Sequence, residues 1–507
     1  MSPSAPEPQR AFRSDGSMHK GVAVAGSKRN PGEAHPDRSE WIVCGLFAVV
    51  LVLFVAVRLY HAGMPLIDDS DWRQTDTASE AWFFLHDRLR LLPQLFYDGP
   101  GPNYVQLEVP FLPWTVAVLA HWLPFGNWLL HGVAVAYSAA SLIFLWLFLR
   151  RRMGARIALL ATAVYSVQPL GIFFGRAFQP EPAMMAGSLA ALWATDRWAA
   201  RGGAGNYLLA VAAFIFAVAA KLPALLVAPA VFLLALQRSR WDRLAPWMLV
   251  VAPVLITGAY TMYAGSRVSP GDDFVTLILT FLMRSDLHVG MPAAAAFWGH
   301  FLVQTSITGV GLVPLAVGLP SSRLRGQAWF WAWGGALLLW CVLVVQNIRF
   351  EYYLLPLLPW LALAEGVGMA EILARLPAAR LLLAGCLVLA MPLSSLGPLR
   401  ELYRLNWPDY RIGTALHRAL GPGTVILGTE NPPILFYSRH HGWRTSKLTM
   451  AELHLWMSEG ARYYIPVGSL STPGVARFVR SHFALRVAGP AMYYALRVPA
   501  KVSTQAG

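Results

Sequence analysis

Residues 65–77 concentrate side chains that can do chemistry. Four carboxylates, Asp68, Asp69, Asp71 and Asp76, surround one guanidinium, Arg73, in a chain of 507 residues that is only 13% charged. A carboxylate next to a hydroxyl can accept its proton as a general base, and an arginine can hold a phosphate through charge-assisted hydrogen bonds. The stretch therefore predicts a site that handles a proton and an anionic group together.

Similar side chains recur in four later segments, at Glu108, residues 175–181, Lys221 and residues 349–353. If these segments meet the first stretch, carboxylates can activate a hydroxyl while cations stabilise a departing phosphate, as sugar transfer from a lipid phosphate requires. Asp68 and Asp69 are the candidate catalytic residues. The candidate substrate-binding residues are Asp71, Arg73, Asp76, Glu108, Arg176, Glu181, Lys221, Arg349, Tyr352 and Tyr353.

The elements that must position these residues are membrane helices. The chain is 56% hydrophobic and its mean hydropathy is positive, which excludes an ordinary soluble protein. Apolar runs of about 16 to 22 residues recur, and each can cross a bilayer as a helix. We predict eleven spans, near residues 41–60, 128–149, 156–174, 182–198, 206–220, 222–237, 245–263, 297–319, 327–346, 352–373 and 381–398.

Loop charges predict the orientation of these spans. With residues 1–40 taken as a disordered cytoplasmic tail, every short inside loop is basic, as in residues 150–156, whereas outer segments carry acids, as in residues 68–108 and 272–286. The first apolar run starts too late to be a cleaved signal peptide. We therefore expect a multi-pass plasma (inner) membrane protein, with its N-terminus in the cytoplasm and its C-terminus outside.

Two segments do not fit the pattern of spans. If the apolar run from Glu108 to Phe125 crossed the membrane, the basic loop at residues 150–156 would lie outside, against the charge rule. Its prolines and tryptophans instead favour an interfacial helix within the first outer loop, residues 61–127. After the membrane domain, residues 41–398, short β-like runs at residues 424–428, 463–467 and 493–498 alternate with helical patterns. We expect a small extracytoplasmic α/β domain over residues 399–507.

Several classes of site are absent from the sequence. Cys44, Cys341 and Cys386 fall within predicted spans at no metal-ligand spacing, and there is no phosphate-binding loop or dinucleotide fingerprint. Asp69-Ser70-Asp71 imitates the metal motif of nucleotide-sugar transferases but lacks the nucleotide-binding fold, so a divalent cation stays open without support from ligand spacing. Nucleic acid is not an expected partner, because no binding module is visible.

The quoted motifs resemble those of a known enzyme class. Asp68-Asp69 followed by Trp72-Arg73-Gln74-Thr75-Asp76 looks like the first outer loop of GT-C membrane glycosyltransferases, in the branch of protein mannosyltransferases and aminoarabinose transferases. Leu107-Glu108-Val109-Pro110 is similar to the interfacial element that follows this loop in those enzymes. Residues 176–181 and 351–359 also resemble family segments, and the similarity covers most of residues 41–398.

The resemblance implies an inverting glycosyltransferase that uses a polyprenyl-phosphate sugar. The base would be a first-loop aspartate, with Asp68 as first choice and Asp69 next, and Arg73, Arg176 or Arg349 would hold the phosphate. The expected partners are the polyprenyl-phosphate donor, membrane lipids, and a lipid, protein or glycan acceptor.

Other interpretations stay open from the sequence. A secondary transporter or flippase also has many spans and intramembrane charge, although its site should lie near the midplane, and a non-catalytic envelope assembly protein would need no acidic loop. At the residue level, Glu108 and Glu181 can be helix-start residues. Lys221 can extend to the interface, and Tyr352 and Tyr353 can belong to an aromatic belt.

Overall fold

The structure is a computed structural model that describes residues 38–87, 90–238, 244–268, 296, 298–345, 349–376, 378–467 and 472–496. The predicted tail up to residue 37 and the outer acidic residues Asp272, Asp273 and Asp286 lie outside these ranges. The described part of the chain is mainly helical, with a small sheet near the C-terminus. The predicted combination of membrane helices with a C-terminal sheet is therefore confirmed.

The N-terminal half begins with α1 (Arg38–Arg58) and α2 (Asp71–His86), followed by a ribbon of β1 (Gln94–Leu95) and β2 (Asn103–Tyr104). Further helices are α3 (Phe111–Leu119), α4 (Asn127–Met153), α5 (Ala155–Val167), α6 (Pro169–Phe174), α7 (Glu181–Arg201), α8 (Ala204–Ala220), α9 (Ala228–Leu236) and α10 (Leu244–Gly265). A 3₁₀ turn, Leu222–Val227, joins α8 to α9.

The membrane region continues through α11 (Leu312–Gly318), α12 (Ser322–Arg325), α13 (Ala328–Trp340), α14 (Leu358–Ala374) and α15 (Arg380–Leu393). Gly299–Ile307 and Cys341–Val345 are π-helical, and Glu351–Leu357 is a 3₁₀ segment. The C-terminal region contains α16 (Leu396–Leu402), α17 (Trp407–Ala419), β3 (Thr424–Leu427), α18 (Pro433–Ser438), β4 (Gly442–Arg444), α19 (Met450–Ser458), β5 (Ala461–Ile465), α20 (Pro473–His482), β6 (Leu485–Ala488) and β7 (Ala491–Ala495).

Helix lies at every predicted span, but many spans are broken. Within the described residues, five helices are long and apolar enough to cross a membrane, or six if the bent pair beginning at Leu381 is one span. Gln168 is extended and separates α5 from α6 inside the predicted span 156–174. Breaks of this kind shorten individual helices below the length of a bilayer, so the chain is a multi-pass membrane protein whose count of eleven crossings stays a prediction.

The C-terminal sheet is mixed and has the order β4-β3-β5-β7-β6. Strand β3 is parallel to β4 and β5, whereas β7 is antiparallel to β5 and β6. On its outer edge, strand β4 forms backbone hydrogen bonds with the first loop. Gly442 N donates to Phe96 O at 2.9 Å, and Gly99 N donates to Gly442 O at 3.1 Å. The first loop thus adds a short backbone bridge to the edge of the sheet.

The described residues form three hydrophobic cores. The largest lies among the membrane helices. The second is shared between the first loop, through residues such as Leu66 and Phe96, and the sheet region, through Leu427 and Phe436. The third lies on the opposite face of the sheet under α19 and α20. The sheet therefore packs directly onto the loop that carries the predicted site, although residues 399–507 as a separate domain stay a prediction.

Glycines allow α11 and α14 to cross in backbone contact. A Cβ placed on Gly318 would lie 1.9 Å from Ala364 O, and one placed on Gly368 would lie 1.8 Å from Pro314 O. Small residues are what permit such close approach between membrane helices. Because α14 continues the segment that begins at Glu351, this crossing also fixes one wall of the predicted site.

We expect Gly368→Ala to lower the free energy of unfolding by about 1 to 3 kcal/mol, because the added methyl must push α11 away from α14. Gly385→Ala is the matched control, since Gly385 is also helical and a Cβ there meets no atom within 4 Å. Thermal unfolding of the detergent-solubilised protein measures both. Equal unfolding temperatures for the two variants would contradict the close crossing.

Candidate active site

The loop that leads into α2 is held by hydrogen bonds to the C-terminal region of the chain. Leu66 N donates to the Tyr437 hydroxyl at 2.7 Å, and Asp69 N donates to Leu402 O at 3.1 Å. Asn406 N donates to Ile67 O at 2.7 Å. These bonds come from α18 and from the chain around α16, so the C-terminal region positions Asp68 and Asp69.

Asp68 lies in a closed network. Its Oδ2 forms an ion pair with Nη2 of Arg176, and its Oδ1 accepts a hydrogen bond from Gln74 Nε2 at 2.6 Å. Both Asp68 and Arg176 have side chains only 1% exposed. A buried charge requires such a partner. Asp68 is therefore the counter-ion of Arg176, a structural role that is separate from any role in catalysis.

Gln74 joins the two segments that carry this ion pair. Besides Asp68, its amide nitrogen bonds Asp69 O at 3.0 Å, and its Oε1 accepts from Phe178 N at 3.1 Å. The turn that carries Arg176 is also held from α4, where His131 Nδ1 lies 2.9 Å from Arg176 O. Sequence reasoning missed Gln74 as a site residue, although it lies within the family-like motif.

Asp69 has a different environment from its neighbour. Its side chain is partly exposed, and its Oδ2 accepts a hydrogen bond from Ser70 Oγ at 2.9 Å. Burial raises the pKa of Asp69 above its usual value, the Ser70 hydrogen bond opposes this, and the Asp68 charge adds to it. Asp69 is thus the more accessible of the two candidates for the base.

A second charged network lies between α2, α7 and α8. Arg73 Nη2 lies 2.6 Å from Glu108 Oε2, and Lys221 Nζ lies 3.8 Å from the other oxygen of Glu108. Lys221 also forms an ion pair with Glu181. The two cations outweigh the effect of burial and lower the pKa of Glu108. Residues distant in sequence therefore form one alternating chain of charges.

The 3₁₀ segment beginning at Glu351 borders both networks. The Lys221 ammonium lies 4.8 Å from the ring centre of Tyr352 and 5.6 Å from that of Tyr353, which is favourable cation–π geometry. The rings of Phe350 and Trp72 lie 5.8 Å apart, and the carboxylates of Glu351 and Asp69 are close enough to interact. The predicted tyrosines therefore lie beside the charged residues.

Arg349 is placed differently from the other predicted cations. It is exposed, its backbone is left-handed with a φ of 60°, and its side chain has no hydrogen bond or ion pair to a described residue. Its neighbours Phe350 and Glu351 contact the first loop, so Arg349 lies at the rim of the charged region. It is the one predicted cation with its donors still available among the residues that the structure describes.

Asp71 points toward the C-terminal region instead. Asp71 lies 3.4 Å from Asn431 Nδ2 and 3.5 Å from Asn406 Nδ2, and the same two amides bond Asp409. Burial raises the pKa of Asp71 to about 6, against the two amide hydrogen bonds. No short sequence signal connects α2 with the distant Asn406, Asn431 and Asp409, and sequence reasoning missed them.

Asp76 is buried and accepts a hydrogen bond from the Tyr97 hydroxyl at 2.8 Å. Burial raises its pKa to about 6, with Arg73 and Arg444 opposing. One turn further along α2, buried Glu80 lines a small cavity with Glu108, and burial raises its pKa well above its usual value. Sequence reasoning left Glu80 out of the site, although its spacing of four from Asp76 puts both on one helix face.

The arrangement does not match a built metal site. Asp69 and Asp71 face different partners, and no group of three His, Cys, Asp or Glu side chains suited to a metal is found within the described ranges. What the site contains is a partly exposed carboxylate beside two buried and charge-balanced networks. This arrangement can accept a proton at Asp69 and bind an anion at its rim.

Comparison with known proteins finds one matching family model and several solved structures of similar fold. Residues 107–262 match the family model of dolichyl-phosphate-mannose-protein mannosyltransferases. The structure of ArnT from Cupriavidus metallidurans bound to undecaprenyl phosphate is similar over 90% of this chain and 98% of that one, with a TM-score of 0.62 and 14% identity. The expected resemblance to GT-C glycosyltransferases is confirmed.

A second protein of known structure has a similar fold over less of its length. The apo structure of the Archaeoglobus fulgidus oligosaccharyltransferase is similar over 84% of this chain and 69% of its own length, with a TM-score of 0.55 and 11% identity. Its complex with an inhibitory peptide and a dolichol-phosphate gives a TM-score of 0.53 at 11% identity. No curated protein sequence matches the chain significantly, so the resemblance to GT-C glycosyltransferases rests on the fold and on residues 107–262.

The two aspartates should respond differently to the loss of charge. Asp68→Asn leaves Arg176 buried without its counter-ion, and we expect a loss of about 3 to 5 kcal/mol in the free energy of unfolding. Asp69→Asn keeps the hydrogen bond from Ser70 and should cost less than about 1 kcal/mol. Thermal unfolding in one detergent compares the two directly, and equal losses would contradict the assignment of Asp68 to the closed ion pair.

Proposed function

We propose that the protein transfers a sugar from a polyprenyl-phosphate donor to an acceptor hydroxyl outside the cytoplasm. The observation that carries this proposal is the pair of adjacent first-loop aspartates, one closed in an ion pair and one accessible, set within a GT-C fold. The similar ArnT structure holds undecaprenyl phosphate, which supports a lipid-phosphate donor here. The acceptor is a lipid, protein or glycan.

The chemical step is a single displacement with inversion at the anomeric carbon. The carboxylate of Asp69 takes the proton of the acceptor hydroxyl as the acceptor oxygen attacks the anomeric carbon. The bond between that carbon and the donor phosphate oxygen breaks, and both bonding electrons leave with polyprenyl phosphate. Asp69 suits the role better than the first-choice Asp68, whose two oxygens are engaged by Arg176 and Gln74.

Arg349 is the first cation to meet the donor phosphate in this proposal. Arg73, Arg176 and Lys221 are buried and already paired with carboxylates, whereas Arg349 is exposed beside the segment that faces Asp69. An arginine there stabilises the charge that develops on the leaving phosphate. In this proposal Lys221 and Arg73 lie behind Arg349, further from the phosphate. Tyr352 and Tyr353 orient the ammonium group of Lys221.

The proposed orientation follows the loop charges. The N-terminus lies in the cytoplasm, the site and the C-terminal sheet lie outside, and the membrane is the plasma (inner) membrane of a bacterium. Arg152 and Asp196 form an ion pair at one end of the helices, whereas Asp68, Glu108 and Glu181 cluster at the other. A donor supplied as a lipid phosphate suits this outer position, because it needs no soluble nucleotide there.

We expect Asp69→Asn to lower turnover by about 10² to 10⁴-fold while the unfolding temperature and donor binding are retained, because only the proton acceptor is lost. The assay is release of polyprenyl phosphate from a panel of polyprenyl-phosphate sugars by the purified protein in lipid, with host membrane extract as acceptor. Glu371→Gln is the control, since Glu371 pairs with Arg323 away from the site. Full activity in the Asp69 variant would contradict the mechanism, and no turnover by the wild type with any donor would contradict the activity.

Turnover should fall as the pH is lowered through the pKa of Asp69, because only the ionised carboxylate accepts a proton. Burial raises that pKa, so the acidic limb of the pH–rate profile should lie above the usual range of aspartate. Ser70→Ala removes a hydrogen bond that lowers the pKa and should move the limb to higher pH. An unchanged limb in this variant would argue against Asp69 as the titrating base.

A further inference from the structure

A basic cleft lies at the end of the molecule opposite the candidate active site. It has a volume of about 310 Å³ and opens between the C-terminal parts of α4 and α7. Its lining combines four arginines with two apolar side chains, and we call it the arginine cleft. The lining residues are Leu147, Arg150, Arg151, Trp193, Arg197 and Arg201.

Positive charge exceeds negative charge around this cleft. Both carboxylate oxygens of Asp196 are occupied, one by Arg151 Nε at 2.6 Å and the other by Arg152 Nε. Glu40 lies 3.7 Å from Arg150. Among the described residues of this cluster, five arginines therefore face two carboxylates, which leaves a net charge of +3, and Arg197 and Arg201 form no ion pair with a described carboxylate.

The arginines keep donors available for a ligand. Within the described residues, Arg197 donates a hydrogen bond through Nε alone, to Asn206 Oδ1 at 3.0 Å, and its guanidinium lies 5.6 Å from the centre of the Trp193 ring. Arg201 is exposed and makes no side-chain hydrogen bond or ion pair with a described residue. A guanidinium with free terminal nitrogens is suited to bind a phosphate through two hydrogen bonds.

The apolar wall favours a lipid over a free ion. Leu147 and Trp193 line the cleft next to the arginines, and Trp193 packs against Phe144 at 5.4 Å. One turn before Leu147 on α4, exposed Ile143 continues the apolar surface toward the middle of the helix. An acyl chain can therefore lie along this surface while its phosphate reaches the basic rim, where indole rings are also favoured.

We propose that the arginine cleft binds the phosphate headgroup of an anionic glycerophospholipid. Under the proposed orientation this lipid belongs to the inner leaflet, where basic pockets between helices hold anionic headgroups. The site is independent of the transferase chemistry. Bound lipid would link α4 to α7, two helices that also carry residues contacting Arg176 and Lys221.

The test is binding of phosphatidylglycerol to the full-length protein in detergent, followed by native mass spectrometry, with phosphatidylcholine as the neutral comparison. We expect wild-type protein to prefer phosphatidylglycerol. Arg201→Gln should bind it about fivefold more weakly and Arg197→Gln/Arg201→Gln roughly 30-fold more weakly, at the approximate contribution of one arginine near an anionic lipid. The Arg201 side chain makes no hydrogen bond or ion pair with a described residue, so we expect Arg201→Gln to leave the fold unchanged and to report on lipid binding.

The matched control is Arg323→Gln/Arg325→Gln, which removes the same charge from another predicted inside loop and should bind phosphatidylglycerol like the wild type. Equal loss in the control would show a general effect of surface charge and overturn the site. Displacement of the lipid by excess inorganic phosphate would assign the cleft to a free anion instead. Equal binding of phosphatidylcholine and phosphatidylglycerol would also refute the proposal.

Discussion

The candidate active site depends on the burial of one guanidinium. Arg176 lies in a region that excludes water, and a charge there is tolerated only with a counter-ion and fixed hydrogen bonds. Asp68 supplies the charge, and Gln74 holds Asp68 while bonding the backbone on both sides of the pair. The order of the first loop and the position of Asp69 follow from this requirement.

Charge balance is the second constraint on the site. Arg73, Glu108, Lys221 and Glu181 alternate in sign, so this buried row carries no net charge and needs no bound anion to be stable. An anionic ligand gains most at the rim, where Arg349 has no carboxylate partner among the described residues. The interior is therefore preorganised, and binding of the ligand need not break a buried ion pair.

The sequence predicts which residues meet but not how they pair. Glu108, Glu181 and Lys221 are separated by helices, yet the alternation of basic and acidic loops puts all three at one end of the membrane helices, where the structure joins them. The contrast between Asp68 and Asp69 has no local signal, because it arises from Arg176, more than a hundred residues away. Likewise, a hydropathy window averages over single extended residues such as Gln168, so continuous spans are predicted where the structure has breaks.

The backbone bridge between the first loop and edge strand β4 has a consequence for how the sequence can diverge. One face of the sheet shares its core with the loop, so a change of volume at Leu427 or Phe436 must be matched at Leu66 or Phe96. The face under α19 and α20 has its own core, so a change of volume there need not be matched in the first loop. Homologues should therefore vary together across the first interface and independently on the second, which leaves the face under α19 and α20 free to diverge.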